Sequence, residues 1–250
     1  MQKKVVVLGG SSGIGKAVAE RFAREGWQVL IAAPDPDKCH EVAHGLEGDH
    51  HIACAMDVRE EAQLEGLRRV VEEQLGRFDV LVNSIGVSQK HAVIDSDFSA
   101  WDSTLQIMLY GSVKACRSLV PLISDGGRII HITSIHYQRV AEGSSAYGMA
   151  KAAITQLTRS LALELAPRHI LANAIAPGFI RTPMSVKEDG KNELESDWFK
   201  DNYIRGNHLP LKRAGRPEEV AGVAWFLAGP DASYMTGSVI TVDGGLTITF

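Results

Sequence analysis

The sequence is short of several things, and each shortage narrows what it can be. Cysteine occurs three times in 250 residues, at Cys39, Cys54 and Cys116, with no C-x-x-C pair. Such spacing supplies neither a zinc pattern nor a disulfide framework, so a reducing, cytoplasmic setting is expected. Aromatics make up only 6%, and the charges nearly cancel, 26 basic against 30 acidic. A net charge of −4 creates no field that gathers nucleic acid or an anionic membrane. No apolar run approaches a membrane span, and the four apolar residues after Lys3-Lys4 are too few for a signal-peptide core. Repeats, low-complexity tracts and Pro/Ser-rich linkers are missing too, so no domain boundary is expected within residues 1–250. Function must come from a local site.

What is present is an ordinary globular balance, 45% hydrophobic and 22% charged. The chain is long enough to bury a core without a metal or disulfide staple. Short apolar runs at residues 5–8, 29–32, 51–55, 80–83, 128–133, 170–175 and 239–242 read as seven strands. Several are apolar throughout, as strands covered on both faces must be. Helical periodicity occupies 15–25, 37–44, 60–75, 100–120, 147–165 and 218–227. This alternation predicts an α/β fold, a doubly wound, seven-stranded parallel sheet with helices on both faces. Only residues 181–212 break the rhythm. They are long, charged and weakly periodic, which marks a candidate lid.

The first strand runs into Gly9-Gly10-Ser11-Ser12-Gly13-Ile14-Gly15 and then a helix. A tight glycine turn at a helix start offers unpaired N–H groups and a positive dipole end to a phosphate. Glycine lets the backbone approach the anion with no Cβ in the way. Gly10 through Lys16 nearly spells a triphosphate-binding loop, but Ala17 stands where that motif needs a magnesium-binding hydroxyl.

Tyr147 and Lys151 are four residues apart at a helix start and so share a face, roughly 5–6 Å apart at Cβ. An unperturbed phenol, with a pKa of about 10, is a poor base near neutrality, and a neighbouring ammonium favours its ionised form. So tuned, it can exchange a proton with an alcohol or carbonyl oxygen. The spacing alone is common, and Tyr110 and Lys114 repeat it. Context separates the pairs. Tyr147 follows Ser134 by 13 residues, and Ser134 closes a strand, where open α/β sheets bind ligands. The residue 13 before Tyr110 is Asp97.

Gly9-x-x-x-Gly13-x-Gly15, Ser134, Tyr147-x-x-x-Lys151 and Pro177-Gly178, in this order and spacing, resemble the short-chain dehydrogenase/reductase family. The likeness runs to Val242-Asp243-Gly244-Gly245, nearly the whole chain. It implies a Rossmann fold and a nicotinamide dinucleotide. It implies Tyr147 as proton donor or acceptor, Ser134 steadying the substrate oxygen, and Lys151 holding ribose while lowering the Tyr147 pKa. The resemblance also implies cofactor contacts from Gly9, Ser11, Ser12, Gly13, Ile14 and Gly15, and from Asp57 and Val58 near adenine. Asn83, Ser84 and Gly86 would line the cleft, with Pro177, Gly178, Ile180 and Thr182 over the nicotinamide. Family members commonly pair through the helices at 100–120 and 147–165, so a homodimer or homotetramer is implied.

The chain departs from the family pattern at Leu8 and Ser84, which read as coupled repacking behind the cofactor. Met108 stands where the family carries an asparagine that holds a relay water, although its main-chain carbonyl can still do so. Ala33-Pro34 closes the second strand, so neither the acidic rule for NAD nor the basic rule for NADP applies cleanly. Asp35 and Asp37 would repel a 2′-phosphate, while Lys16 and Lys38 would attract one; NAD(H) is favoured.

Nine histidines raise a metal question. Adjacent His50 and His51 face opposite ways in a strand, and His40 and His44 lack a third ligand, so no metal is expected. His131 reads as a packed strand residue. His136, two residues past Ser134, is a candidate substrate contact beside Ser134 and Tyr147, with Gln138 and Gln89 behind it. A polar pocket and a lid carrying Lys187, Glu188, Asp189, Glu193, Glu195 and Asp197 favour a small sugar, polyol or other hydroxylated substrate. A 3-oxoacyl-thioester reductase is the alternative, and a dinucleotide sensor without turnover is the second.

Overall fold

The computed structural model describes residues 2–187 and 189–249; Glu188, among the charges of the candidate lid, lies outside them. Its strands are β1 (Lys4–Leu8), β2 (Gln28–Ala33), β3 (Ile52–Ala55), β4 (Phe78–Asn83), β5 (Ile123–Ile132), β6 (Leu171–Pro177) and β7 (Val239–Val242). They form one parallel sheet in the order β3-β2-β1-β4-β5-β6-β7. The order reverses between β1 and β4, and Leu8 pairs with Ala32 on one side and Asn83 on the other. A crevice opens at the carboxyl ends of such neighbours, where open α/β sheets take ligands.

Residues 5–8 of β1 are wholly buried and split between two cores. Val5 and Val7 join Val18 and Phe22 of α1 (Gly13–Arg24) and Val220 and Ala224 of a late helix, Pro217–Ala228. Val6 and Leu8 join Leu64 and Leu67 of α3 (Glu61–Val70) and Ala115 and Leu119 of α5 (Gly111–Leu119). Each such aliphatic contributes about 1.5–3 kcal/mol when fully buried, which explains why the strand lacks polar alternation. Phe22, Trp27 and Trp225 meet edge to face at 5.1–5.8 Å and tie α1 to that late helix.

Two elements differ from the sequence expectation in their course, the helix over 100–120 and β5. The helix expected over 100–120 is α4 (Phe98–Leu105), a π-helical turn at Gln106–Tyr110, and then α5. The Ser112 hydroxyl donates to the Met108 carbonyl at 2.5 Å, the kind of side-chain insertion that disturbs a helical ladder. Trp101, Leu105 and Leu109 of this stretch pack inward with Ala150 and Ile154 of α6 (Ser145–Glu164). Strand β5 begins at Ile123 because Phe78 pairs with Ile123 before the register shifts and Val80 meets Arg128. The polar Ser124-Asp125-Gly126-Gly127 stretch hid that beginning.

Residues 181–212 are better anchored than their sequence implies. They hold turns at Pro183–Ser185 and Glu193–Glu195, then α7 (Asp197–Phe199), continued in π geometry by Lys200–Arg205. Leu194, Phe199 and Leu209 form a small core of their own, closed by Phe179 and Tyr203. The Phe179 ring lies 5.1 Å from Phe199 and 4.6 Å from Tyr203. The late helix Pro217–Ala228 is α8.

Candidate active site

The glycine turn after β1 is built by contact between main chains. A Cβ at Gly9, where φ is +72°, would lie 2.6 Å from the Ser84 carbonyl oxygen. One at Gly15 would lie 2.1 Å from the Gly9 carbonyl oxygen. Helix α1 starts at Gly13 with no acidic side chain in its first turn, leaving its positive end open to an anion. A Cβ at Gly13 would meet Thr182 at 3.3 Å, so residues 181–212 reach over the turn.

Ser134 stands just past β5, buried, and its Oγ accepts the His136 N–H at 3.2 Å. Tyr147 lies in the first turn of α6 and Lys151 one turn later. The buried Lys151 Nζ donates to the Ile132 carbonyl at 2.8 Å and sits 5.6 Å from the Tyr147 ring centroid. An ammonium has three donors, and only one is engaged within the described residues. Burial pushes the Lys151 pKa down to about 8. Burial also pushes the Tyr147 phenol up, and the Ser134 hydroxyl beside it opposes that rise. Lys151 is turned to the Ile132 carbonyl, so the phenol is held up by burial in this state, whereas the resemblance implies a lowered value.

A cavity of about 570 Å³ joins these parts. Its wall includes Gly9, Ser11, Ser12, Gly13 and Ile14 from the turn, Asp57 and Val58 past β3, and Ser84 and Gly86 past β4. Ser134, Tyr147 and Lys151 line it as well, as do Pro177, Gly178, Ile180 and Thr182. The remaining expected residues stand off the wall. Gly15 lies behind the turn, packed on Gly9. Asn83 is buried, and its Oδ1 accepts the Ile85 N–H at 3.1 Å. Asp35 caps α2 (Pro36–Gly45), accepting the Lys38 N–H at 3.1 Å and pairing with its ammonium at 3.1 Å. His136 meets the Tyr147 ring edge-on at 5.6 Å, and its buried Nδ1 has no partner among the described residues.

Sequence reasoning missed Arg59 and Met184 and underrated Glu193. Arg59 lines the cavity and clamps Asp57 through contacts of 2.6–3.2 Å, holding that carboxyl below its ordinary range. The D-x-R spacing was a visible signal. Met184 comes within 3.6 Å of a Cβ placed at Gly86, and Lys151 Nζ within 3.8 Å of the same point. Nothing local announces that contact. Tyr110, by contrast, is half exposed, and Lys114 pairs with Glu61 at 3.4 Å, away from the cavity.

The cavity connects an anion-binding helix start to a buried ammonium with donors to spare, so its residues fit a dinucleotide's pyrophosphate and ribose. A family model described as enoyl-(acyl carrier protein) reductase matches residues 9–247. A 3-oxoacyl-[acyl-carrier-protein] reductase FabG from Thermotoga maritima is 34% identical over 253 residues, covering 98% of either chain. The ligand-free aldohexose dehydrogenase of Thermoplasma acidophilum superposes with a TM-score of 0.86 at 31% identity, over 100% of this chain and 95% of that one. A short-chain dehydrogenase/reductase from Serratia marcescens gives 0.87 at 32%, over 98% of both. The chain belongs to the short-chain dehydrogenase/reductase family. It is therefore an NAD(P)-dependent oxidoreductase acting on small molecules, with the Rossmann fold expected of that family.

Among this short-chain dehydrogenase/reductase's departures, Leu8 and Met108 are fully buried, and Ser84 lines the cavity. The Ser84 N–H donates to the Leu8 carbonyl at 2.9 Å, so these two positions meet through main chain. Met108 is fully buried beside Leu105, Ala150 and Tyr147, and its carbonyl already accepts the Ser112 hydroxyl. Among the described residues no helix is long and apolar enough to cross a membrane, and no three His, Cys, Asp or Glu side chains cluster as metal ligands would.

Proposed function

We propose that the protein interconverts a secondary alcohol and a carbonyl on a small sugar, polyol or other hydroxylated substrate, with NAD(H). The bound nicotinamide supplies the two-electron acceptor or donor. Tyr147 takes the alcohol proton, or returns it to the carbonyl oxygen, while the Ser134 hydroxyl holds that same oxygen. Lys151 keeps one N–H on Ile132 and offers the others to ribose hydroxyls; turned that way, its charge favours the phenolate. Pro177, Gly178, Ile180 and Thr182 cover the ring, and residues 181–212 serve as the lid of a one-domain enzyme. The protein works in the cytoplasm as a homodimer or homotetramer; Phe98, Tyr110, Met149 and Leu163, exposed between α4 and α6, support the pairing.

The cofactor preference rests on charge. Of the basic groups around the turn and adenine wall, Lys16 pairs with Glu20 at 3.8 Å, Lys38 with Asp35 at 3.1 Å, and Arg59 with Asp57 at 2.6 Å. Arg181 pairs with Glu195. A 2′-phosphate would have to break such pairs to gain a counter-charge.

The substrate reading rests on His136. An unpartnered buried nitrogen costs about 1–3 kcal/mol, and His136, edge-on to Tyr147 behind the cavity wall, regains a partner if its ring turns to a hydroxylated substrate, where the hydrocarbon part of an acyl chain offers none. A 3-oxoacyl thioester is the second reading, favoured by the name of the Thermotoga relative. The test measures NAD⁺ and NADP⁺ reduction across sugars, polyols and 3-hydroxyacyl thioesters. Turnover of hydroxylated substrates with NAD⁺ is expected, with KM about tenfold higher in His136→Phe. Preferred turnover of thioesters, unaffected by that substitution, would sink the sugar reading.

A further inference from the structure

One carboxylate on the cavity wall has no clamp. Among the described residues, the two acidic ones lining the cavity are Asp57 and Glu193. Asp57 is neutralised by the Arg59 guanidinium through both oxygens. The Glu193 carboxylate accepts no hydrogen bond among the described residues, and its one ion-pair partner there is Lys90, at 3.8 Å. The Lys90 side chain is 69% exposed, so this pair is long, solvated and weak. The Glu193 charge also reaches Tyr203, whose phenol it helps push up after burial.

Glu193 is nevertheless firmly placed. It opens the Glu193–Glu195 turn, which Asn192 caps by accepting the Leu194 N–H at 3.0 Å. The neighbouring Leu194 is buried in the small core with Phe199 and Leu209. The Glu193 carbonyl accepts the Ser196 hydroxyl at 2.7 Å. Fixed main chain on both sides holds Glu193 on the wall of the cavity that Ser134 and Tyr147 also line. Five acidic and two basic residues fall between 189 and 201, so the surroundings do not cancel it.

We propose that Glu193 is the charge filter of the substrate site: it accepts hydrogen bonds from neutral hydroxylated substrates and turns away anionic ones. The inference deepens the sugar or polyol reading and rests on it for the class of substrate. A carboxylate with open lone pairs gains charge-assisted bonds from hydroxyl donors. A second anion beside it in a partly enclosed cavity meets repulsion that bulk water would have screened. A carboxylate-bearing or phosphopantetheine-bearing substrate is therefore selected against.

The test uses two matched pairs at fixed ionic strength: D-sorbitol with D-gluconate, and ethyl acetoacetate with acetoacetate. Within each pair the compounds differ chiefly in one negative charge. In Glu193→Gln the ratio of kcat/KM, anionic over neutral, should rise about tenfold, mostly through KM. Glu195→Gln removes an exposed charge that does not line the cavity, and should leave the ratio within about twofold. Where a compound binds without turnover, the ratio is read from Kd for the NAD-bound enzyme. A ratio unmoved in Glu193→Gln, or moved equally by Glu195→Gln, overturns the proposal. The acetoacetate pair contains no sugar, so failure of the sugar reading and failure of the charge filter are separate results.

Discussion

Around Gly9, Gly15 and Ser84 the cleft wall is main chain packed against main chain, whereas residues 181–212 reach the same cleft with side chains. At the first wall a single Cβ would lie 2.1–2.6 Å from a carbonyl oxygen. At the second, Thr182 and Met184 make contacts of 3.3 and 3.6 Å with Cβ positions at Gly13 and Gly86, and ion pairs such as Lys90–Glu193 span 3.8 Å. The first arrangement has one solution in residue type. The second can be rebuilt with other side chains while the fold stands. A cleft made this way keeps one chemistry while changing what it accepts.

Tyr147 lies where the two walls meet, and removing its hydroxyl should separate them. In Tyr147→Phe turnover should fall about 10³-fold while dinucleotide affinity, followed by NADH fluorescence, stays as it was. A variant retaining a tenth of its activity would mean that the phenol moves no proton. A sensor without turnover would also tolerate the change.

Gly15→Ala attacks the main-chain wall alone. The added methyl meets the Gly9 carbonyl oxygen, so the turn must open, at about 1–3 kcal/mol of stability, with weaker dinucleotide binding. Urea unfolding with and without NADH reads both. Undiminished binding would show that the turn is looser than its contacts.

The smallest effect lies behind both walls, at His131, wholly buried on β5. Its Nδ1 meets the Thr158 hydroxyl at 2.8 Å, and that hydroxyl spends its proton on the Ile154 carbonyl. Nδ1 is therefore assigned the hydrogen, and Nε2 accepts from the Cys116 thiol at 3.5 Å. Burial, reinforced by the Lys151 charge, pushes the imidazole down to about 4. The unfolded chain binds more protons between that value and the ordinary one of about 6.5, so stability must fall as pH falls through this window. From pH 7 to 5.5 the loss from this group should be about 1 kcal/mol, absent in His131→Gln. Denaturant midpoints at the two pH values check it; equal slopes in both proteins would remove His131 from the account.

The sequence-level reading recovered what main chain dictates. The glycine turn, the strand-closing Ser134 and the Tyr147–Lys151 pair were legible because each shows as a definite residue type at a definite spacing. Apolar runs such as 5–8 announced strands covered on both faces. Asp35 reads in sequence as a cofactor-side charge that repels a 2′-phosphate, and the fold also uses its carboxylate to cap α2 by accepting the Lys38 N–H. The break in the helix at Gln106–Tyr110 was hidden, because apolar periodicity continues through it while the Ser112 hydroxyl alters the hydrogen bonding.

By itself, then, the sequence determined the order of strands and helices, the glycine turn and the spacing of Ser134, Tyr147 and Lys151. Those show as residue types and spacings along the chain. Only the tertiary structure decided which charges face the cleft. Lys90 comes only within 3.8 Å of Glu193, and Lys151 rests on a strand carbonyl 19 residues earlier. Whether a charge is cancelled depends on what the fold brings within about 4 Å of it, and distance along the chain does not encode that.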